Sequence, residues 1–243
     1  MEGVIGVTLE GRRAVVTGGT RGIGAAIARQ LTGAGADVLA IGVSKTATAP
    51  EGVRLELVDL KDPESVSGLA ERLAQSPVDI LVNNAGINVV AGFADIRPED
   101  FDDIHQINVR APLVLMQAVV PGMRRRKWGR IVNVTSIFGH VSRAGRGAYS
   151  ASKFGLDGMT TALAAEVAGD GVLANCVAPG FVDTDLTRRV LGQEGIDAVA
   201  ATVPIGRLAK PDEIARFVVW LASESNTYIS GQNLLIDGGV TRV

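Results

Sequence analysis

Two periods of apolar and polar positions alternate along this chain. Arg12–Thr17 (RRAVVT) is β-branched and apolar and runs into glycines, the pattern of a buried strand. Arg21–Ala34 is alanine-rich, with Ile23, Ile27 and Leu31 at every fourth position, the stripe of a helix. Asp37–Gly42 and Val53–Val58 read as strands, Asp62–Gln75 as a helix and Val78–Asn83 as a strand. Pro98–Lys127 reads as one or two helices broken near Ala111-Pro112. Strand Arg130–Thr135, helix Gly147–Ala168, strand Leu173–Ala178, helix Pro211–Ser223 and strand Asn233–Asp237 complete the order. This alternation predicts an α/β fold, a parallel sheet covered by helices on both faces. No repeat, low-complexity tract or linker interrupts it, so residues 1–243 are expected to form one domain. Asp183–Ile205 has no clear period. It follows a strand end, where ligands bind in such sheets, and is expected to act as a substrate lid.

Composition narrows the function classes. Apolar residues make up 47% and the formal net charge is −2, an ordinary globular balance with no electrostatic footprint for nucleic acid or an anionic membrane. Cys176 is the only cysteine, so no intrachain disulfide forms, in keeping with a reducing compartment. One cysteine and two histidines supply no tetrahedral zinc set, and no metal is expected. The opening MEGVIGVTLEGRR lacks a basic start followed by an apolar core, and no apolar run is long enough to span a bilayer. A cytoplasmic protein is expected. The basic run Arg124–Lys127 sits at a predicted helix C-terminus, where cations complement the dipole.

The first strand leads into Thr17-Gly18-Gly19-Thr20-Arg21-Gly22-Ile23-Gly24, spaced Gly-x3-Gly-x-Gly. Glycines there let the backbone approach a pyrophosphate at the positive end of the following helix; the plain alternative is a glycine-rich turn without a ligand. NAD-binding folds often place an acid about 20 residues on to hold the ribose. Here the second strand ends Ile41-Gly42-Val43-Ser44-Lys45, with no acid, and Arg21 and Lys45 are positioned to meet a 2′-phosphate. NADP(H) is therefore the expected cofactor, with NAD(H) the alternative. Asp59, at the third strand's end, either accepts from the adenine amino group or caps the helix beginning near Asp62. Asn83-Asn84-Ala85-Gly86 ends the next strand. Asn108 is an amide within an apolar helix, to be satisfied by a neighbouring carbonyl or by a water. Ser136 puts a hydroxyl at the sheet's carboxyl edge. Tyr149 and Lys153 lie four residues apart on a predicted helix and rise from one face. A phenol titrates near pH ~10, and an ammonium one turn away favours its ionised form. In isolation such spacing is equally that of a solvated helix face.

Together, Thr17–Gly24, Asp59, Asn83–Gly86, Asn108, Ser136, Tyr149-x3-Lys153, Pro179-Gly180 and Asp237-Gly238-Gly239 resemble the short-chain dehydrogenase/reductase family over essentially the whole chain. The resemblance implies a seven-stranded doubly wound (Rossmann) sheet in the order 3-2-1-4-5-6-7. It implies Asn108, Ser136, Tyr149 and Lys153 as the catalytic set, interconverting a ketone and a secondary alcohol. Tyr149 would exchange the proton, Lys153 would lower its pKa and bind the nicotinamide ribose, Ser136 would hold the substrate oxygen, and Asn108 would position a relay water. Cofactor contacts would come from Gly18, Thr20, Arg21, Gly22, Ile23, Gly24, Ser44, Lys45, Asp59, Leu60, Asn84, Ala85, Gly86, Tyr149, Lys153, Pro179, Gly180, Val182 and Thr184. A homotetramer would pair the helices Asn108–Lys127 and Gly147–Ala168. The small residues Gly155, Gly158, Ala162 and Ala165 would permit that approach, unless they serve packing within one subunit.

Substrate is less legible. The chain is most similar to 3-oxoacyl-acyl-carrier-protein reductases, but Asp170 stands where those tend to carry a basic residue that docks the acidic carrier, and it is expected to repel that partner. The short link between the second and third strands is shared with some sugar and sugar-acid dehydrogenases, the alternative activity. A binding or regulatory protein without turnover is the alternative of another class. Ser136, Phe138, His140, Arg143, Arg146 and Tyr149 are candidate substrate contacts. Arg143 and Arg146 either grip a carboxylate or phosphate or are exposed loop charges, and Phe138 and His140 either line the pocket or only pack.

Overall fold

The computed structural model describes residues 7–243, apart from the side chains of Leu186 and Val190, so the expectation for the first six residues lies outside it. β1 (Arg13–Thr17), β2 (Asp37–Gly42), β3 (Arg54–Leu57), β4 (Ile80–Asn83), β5 (Gly129–Val134), β6 (Val172–Pro179) and β7 (Asn233–Ile236) form one parallel sheet. The strand order is β3-β2-β1-β4-β5-β6-β7, the doubly wound order implied by the sequence motifs. Strand limits match the predicted ones to within two residues, and those of β2 coincide with them.

Seven α-helices cover the sheet among the described residues: α1 (Gly22–Gly33), α2 (Pro63–Ala74), α3 (Pro98–His105), α4 (Ala111–Arg126), α5 (Gly147–Val167), α6 (Asp185–Ala200) and α7 (Pro211–Leu221). Both faces are buried, which explains why β1 is apolar without interruption. Val16 packs with Ile27 of α1 and Val218 of α7, while Val15 packs with Leu69 of α2 and Leu115 of α4 on the opposite face.

Two regions depart from a plain helix pattern. The stretch Pro98–Arg126 is helical throughout, but a π turn at Gln106–Arg110 separates α3 from α4. Pro112 has no N–H, so it cannot serve the Asn108 carbonyl four residues back, and the widened turn accommodates this. Asp183–Ile205 contains α6, kinked at Gly192 (φ 62°) and capped by Thr184, whose hydroxyl accepts from Thr187 N at 3.2 Å. The side chains described along α6 are exposed or half-buried, so there was no apolar stripe to read.

The basic run is a structural device. Arg124 and Lys127 both pair with Asp170, and Arg126 pairs with Asp79. The expectation that Asp170 repels an acidic partner is therefore corrected: two cations neutralise it, and they hold its carboxyl below the ordinary aspartate pKa. Packing within one subunit does not account for the small residues of α5 either. Gly155, Gly158, Ala162 and Ala165 all face outward, and nothing lies within 4 Å of a Cβ added at either glycine. Among the described residues, no helix is long and apolar enough to cross a membrane.

Candidate active site

The turn after β1 begins α1 at the carboxyl edge of the sheet. Gly22 holds φ +54°, a left-handed value that favours glycine. Gly24 is closed in: a Cβ there would overlap the Gly18 carbonyl and the Asn84 amide. Gly19 N donates to Ile41 O at 3.2 Å, which holds the turn against the end of β2. α1 starts without a side-chain cap and without an acid in its first turn. Its N–H groups and dipole are thus left for an external anion, and the glycine cradle fits a dinucleotide pyrophosphate.

Thr17 and Asn84 join this turn to β4. The Thr17 hydroxyl accepts from both Asn84 N and Ala85 N at 3.0 Å, while Asn84 Nδ2 donates to Thr17 O at 3.0 Å and Gly18 O at 3.2 Å. The Asn84 amide is thereby spent on main chain. Asn108, fully buried in the π turn, is similarly committed. Its Oδ1 accepts from Ile87 N at 2.9 Å, and its Nδ2 donates to Ile87 O at 3.0 Å and to Ser152 Oγ at 3.1 Å. The neighbouring carbonyl expected for this amide is present as that of Ile87. Gly86 sits beside this knot: a Cβ on it would be 3.2 Å from Asn108 Oδ1 and 3.5 Å from Lys153 Nζ.

Tyr149 and Lys153 project from the first two turns of α5. Phe138 stands edge-on to Tyr149, with ring centres 6.4 Å apart. Burial raises the phenol's pKa, and the Ser136 hydroxyl and the Arg146 charge act in the opposite direction. Arg146 is one cation acting on the phenol, and the buried Lys153 amine, 5.6 Å from the centre of the same ring, donates to Val134 O at 2.8 Å and has its own pKa pushed down to about 8 by burial. Ser136 also ends the strand as expected, its Oγ accepting from Phe138 N at 3.2 Å.

The remaining candidates form an outer ring. Arg21 and Lys45 are exposed at the ends of β1 and β2, and among the described residues neither joins an ion pair. Ser44 Oγ accepts from Thr46 N at 3.2 Å. Asp59 is exposed and accepts from Lys61 N at 2.9 Å, beside the buried Leu60. It is not the helix cap: Asp62 fills that place, accepting from Glu64 N and Ser65 N. Gly180 N donates to Ile236 O at 2.9 Å, Val182 bridges to Ala209, and Thr184 lies across from Gly22, where an added Cβ would meet its methyl at 3.4 Å. Thr20 abuts Gly42, Ile23 packs on the α1–α7 core, and Pro179 is the buried end of β6. His140 follows Phe138, with its Nε2 buried and unbonded. Among the described residues, no three His, Cys, Asp or Glu side chains are grouped to hold a metal.

Sequence reasoning missed the polar chain beneath the site. Asn83 Nδ2 donates to Asn133 Oδ1 at 2.8 Å, Asn133 Nδ2 to Thr160 Oγ1 at 2.7 Å, and Thr160 Oγ1 to Leu156 O at 2.6 Å. This chain ties β4 and β5 to α5 two turns beyond Lys153. A polar residue inside an otherwise apolar strand, as in Arg130–Thr135, was the available signal.

A family model described as Enoyl-(Acyl carrier protein) reductase matches residues 18–241. The chain is 40% identical over 247 residues to the 3-oxoacyl-acyl-carrier-protein reductase FabG of Vibrio cholerae, covering 96% of this chain and 99% of that one. A 3-oxoacyl (acyl-carrier-protein) reductase of Agrobacterium tumefaciens with NADP bound superposes with TM-score 0.89 at 35% identity, covering 95% of each chain. A gluconate 5-dehydrogenase of Burkholderia cenocepacia in complex with NADP and tartrate superposes equally, TM-score 0.89, at 30% identity and 97% coverage of each. These likenesses run from the glycine turn through the Tyr149/Lys153 helix to the segment after β7, and the chain belongs to the short-chain dehydrogenase/reductase family.

Proposed function

We propose that the protein is an oxidoreductase that interconverts a ketone and a secondary alcohol with NADP(H), NAD(H) being the weaker cofactor. One observation carries this reading: a phenol on α5, with a buried lysine amine 5.6 Å from its ring centre, stands at the sheet edge where α1 presents an uncapped N-terminus. The α1 N-terminus and Gly18–Gly24 would hold the pyrophosphate, with Ala85, Gly86, Pro179, Gly180, Val182 and Thr184 along its course. Arg21 and Lys45 would meet the 2′-phosphate. When bound, the cofactor supplies or accepts the hydride.

The chain's own residues handle the proton. Tyr149 would deliver it to the carbonyl oxygen during reduction and take it from the hydroxyl during oxidation. Ser136 would donate to the same oxygen and stabilise developing negative charge. Lys153, anchored on Val134 O, would bond the ribose. Asn108, whose carbonyl Pro112 cannot serve, would position a relay water. α6, hinged at Gly192, would close over the substrate as part of one 243-residue domain. The outward small-residue face of α5 and the exposed Leu113 and Phe154 support a homotetramer built on α4 and α5. The lone buried Cys176 fits a reducing cytoplasm.

Carrier-linked 3-oxoacyl groups are the first substrate class, since the V. cholerae relative bears that name and Asp170 offers no free charge against an acidic carrier. A sugar-acid dehydrogenase is the second reading, favoured by the likeness to the tartrate-bound gluconate 5-dehydrogenase and by the helix-free link 43–53 between β2 and β3. Nicotinamide absorbance followed with a panel of ketones and alcohols tests the class. Tyr149→Phe should bind cofactor normally and lose about 100-fold or more in turnover. Near-wild-type turnover in that variant would remove the assignment, and cofactor binding without turnover of any compound would favour a regulatory protein.

A further inference from the structure

Several arginines of the chain face acids: Arg188 pairs with Asp183, Arg207 with Glu213 and Arg97 with Asp100. Arg143 and Arg146 do not. Among the described residues neither meets a carboxylate, and both guanidinium groups converge on one aromatic ring. The Arg143 Cζ lies 5.3 Å from the centre of Phe138 and 5.8 Å from that of Phe181, and the Arg146 Cζ lies 5.2 Å from that of Phe138. A tight turn, in which Arg146 N donates to Arg143 O at 3.2 Å, brings the two together. Burial and the charge of Arg143 both lower the pKa of Arg146, so the pair repels itself with no acid at hand.

The same point carries a second positive feature. Arg146 is the N-cap of the 21-residue α5, which has no side-chain cap and no acid in its first turn, so the helix presents its N–H groups and positive dipole end beside the two guanidinium groups. Phe138 links this cluster to the chemistry, since its ring packs edge-on to Tyr149. An uncharged substrate would leave both charges uncompensated. A carboxylate or a phosphate would satisfy them with charge-assisted hydrogen bonds, two of its oxygens meeting the guanidinium fork.

We infer that Arg143 and Arg146 form an anion clamp beside Tyr149, so that the substrate is an oxo or hydroxy compound carrying an oxyanionic group, a carboxylate or a phosphate, a few atoms from the reacting carbon. The inference rests on the oxidoreductase reading for the position of that carbon, and of the two substrate classes it selects the sugar acid over the carrier-linked 3-oxoacyl thioester, whose acyl chain carries no such anion. Turnover is measured for short oxo acids, for their methyl esters and for phosphorylated ketones. The wild type should favour one anionic series over the esters by about 30-fold or more in kcat/KM, and which series wins tells carboxylate from phosphate. Arg143→Gln should raise KM for the anion about 10-fold while moving that for the ester by about 2-fold or less, with partial recovery in Arg143→Lys, and Arg146→Gln, which also removes a charge acting on the phenol, should raise KM for the anion more than that for the ester. Equal handling of acid, ester and phosphate by the wild type, or equal losses on all of them in Arg143→Gln, overturns the clamp and leaves the oxidoreductase standing. A binding arm is independent of turnover: with saturating NADP, tartrate and inorganic phosphate are titrated against Tm. A rise that the double variant Arg143→Gln/Arg146→Gln abolishes supports the clamp even if no compound is turned over, whereas a rise that survives it, or no rise in the wild type, counts against the clamp.

Discussion

Lys153 Nζ donates to the main-chain carbonyl of Val134 at 2.8 Å, and that same nitrogen lies 5.6 Å from the centre of the Tyr149 ring. The last residue of β5 thus fixes the amine of α5 within the site. A carbonyl dipole, and no carboxylate, supports the charge, and burial drives the lysine down to about 8.

That value sets a pH signature in stability. A free lysine titrates near 10.5, so between about 8 and 10.5 the unfolded chain binds a proton that the folded chain has released. Stability contributed by this site therefore rises with pH across that window, and below about pH 8 the full penalty of the buried charge applies. Lys153→Met should gain on the wild type at neutral pH by up to about 3 kcal/mol, and the gain should shrink as pH climbs through the window. Urea unfolding of both proteins at a series of pH values checks this. A difference flat in pH would assign the titration elsewhere.

Gly24→Ala tests the cradle. The added methyl would strike the Gly18 carbonyl and the Asn84 amide, both fixed by hydrogen bonds, so the turn must open. We expect a loss of about 1–3 kcal/mol in stability. Cofactor affinity should fall 10-fold or more, at about 1.4 kcal/mol per decade. Denaturant unfolding and a cofactor titration read the two effects separately.

Cofactor choice should rest on Arg21 and Lys45. Both are exposed cations with no acid partner among the described residues, at the ends of the two strands that flank the glycine turn. Replacing either with alanine should cut the preference for NADPH over NADH by about 10-fold, through loss of a charge-assisted contact. The ratio of kcat/KM for the two cofactors is the measurement, and preference for NADH in the wild type would overturn the assignment.

Asn133 should matter without touching any ligand. Truncation to alanine strands the Asn83 amide and removes a partner of Thr160, all in the core. We expect about 2–4 kcal/mol of destabilisation, because buried polar groups are left without partners. Asn133→Asp, which restores the shape and one acceptor, should recover part of it if the Asn83 contact dominates; urea midpoints compare the two.

Elements were legible where local physics dominates. β1 buries both faces and so reads as unbroken apolar sequence, while α1 and α2 carry clear stripes of buried residues. α6 was not legible, because a helix that buries little has no stripe, and the π turn was signalled only as a break near Pro112. The site candidates were mostly named in advance, and a carbonyl partner for Asn108 was among the expectations, but which groups the others meet was not legible. Asn84 and Asn108 are bound to main chain, Asp62 rather than Asp59 is the cap, and Asp170 is neutralised by the basic run.

The sequence by itself determined the alternation of strands and helices, the glycine turn and the four-residue spacing of Tyr149 and Lys153. Each depends on backbone sterics and side-chain period over a few neighbouring residues. Only the tertiary structure decided that Arg146 as well as Lys153 stands by the phenol, how far Lys153 is depressed, and that Arg143 and Arg146 face no acid. A charge's behaviour depends on excluded water and on groups from other segments, such as the Val134 carbonyl nineteen positions before Lys153. Chain order does not encode that proximity; the packing of α5 against β5 creates it.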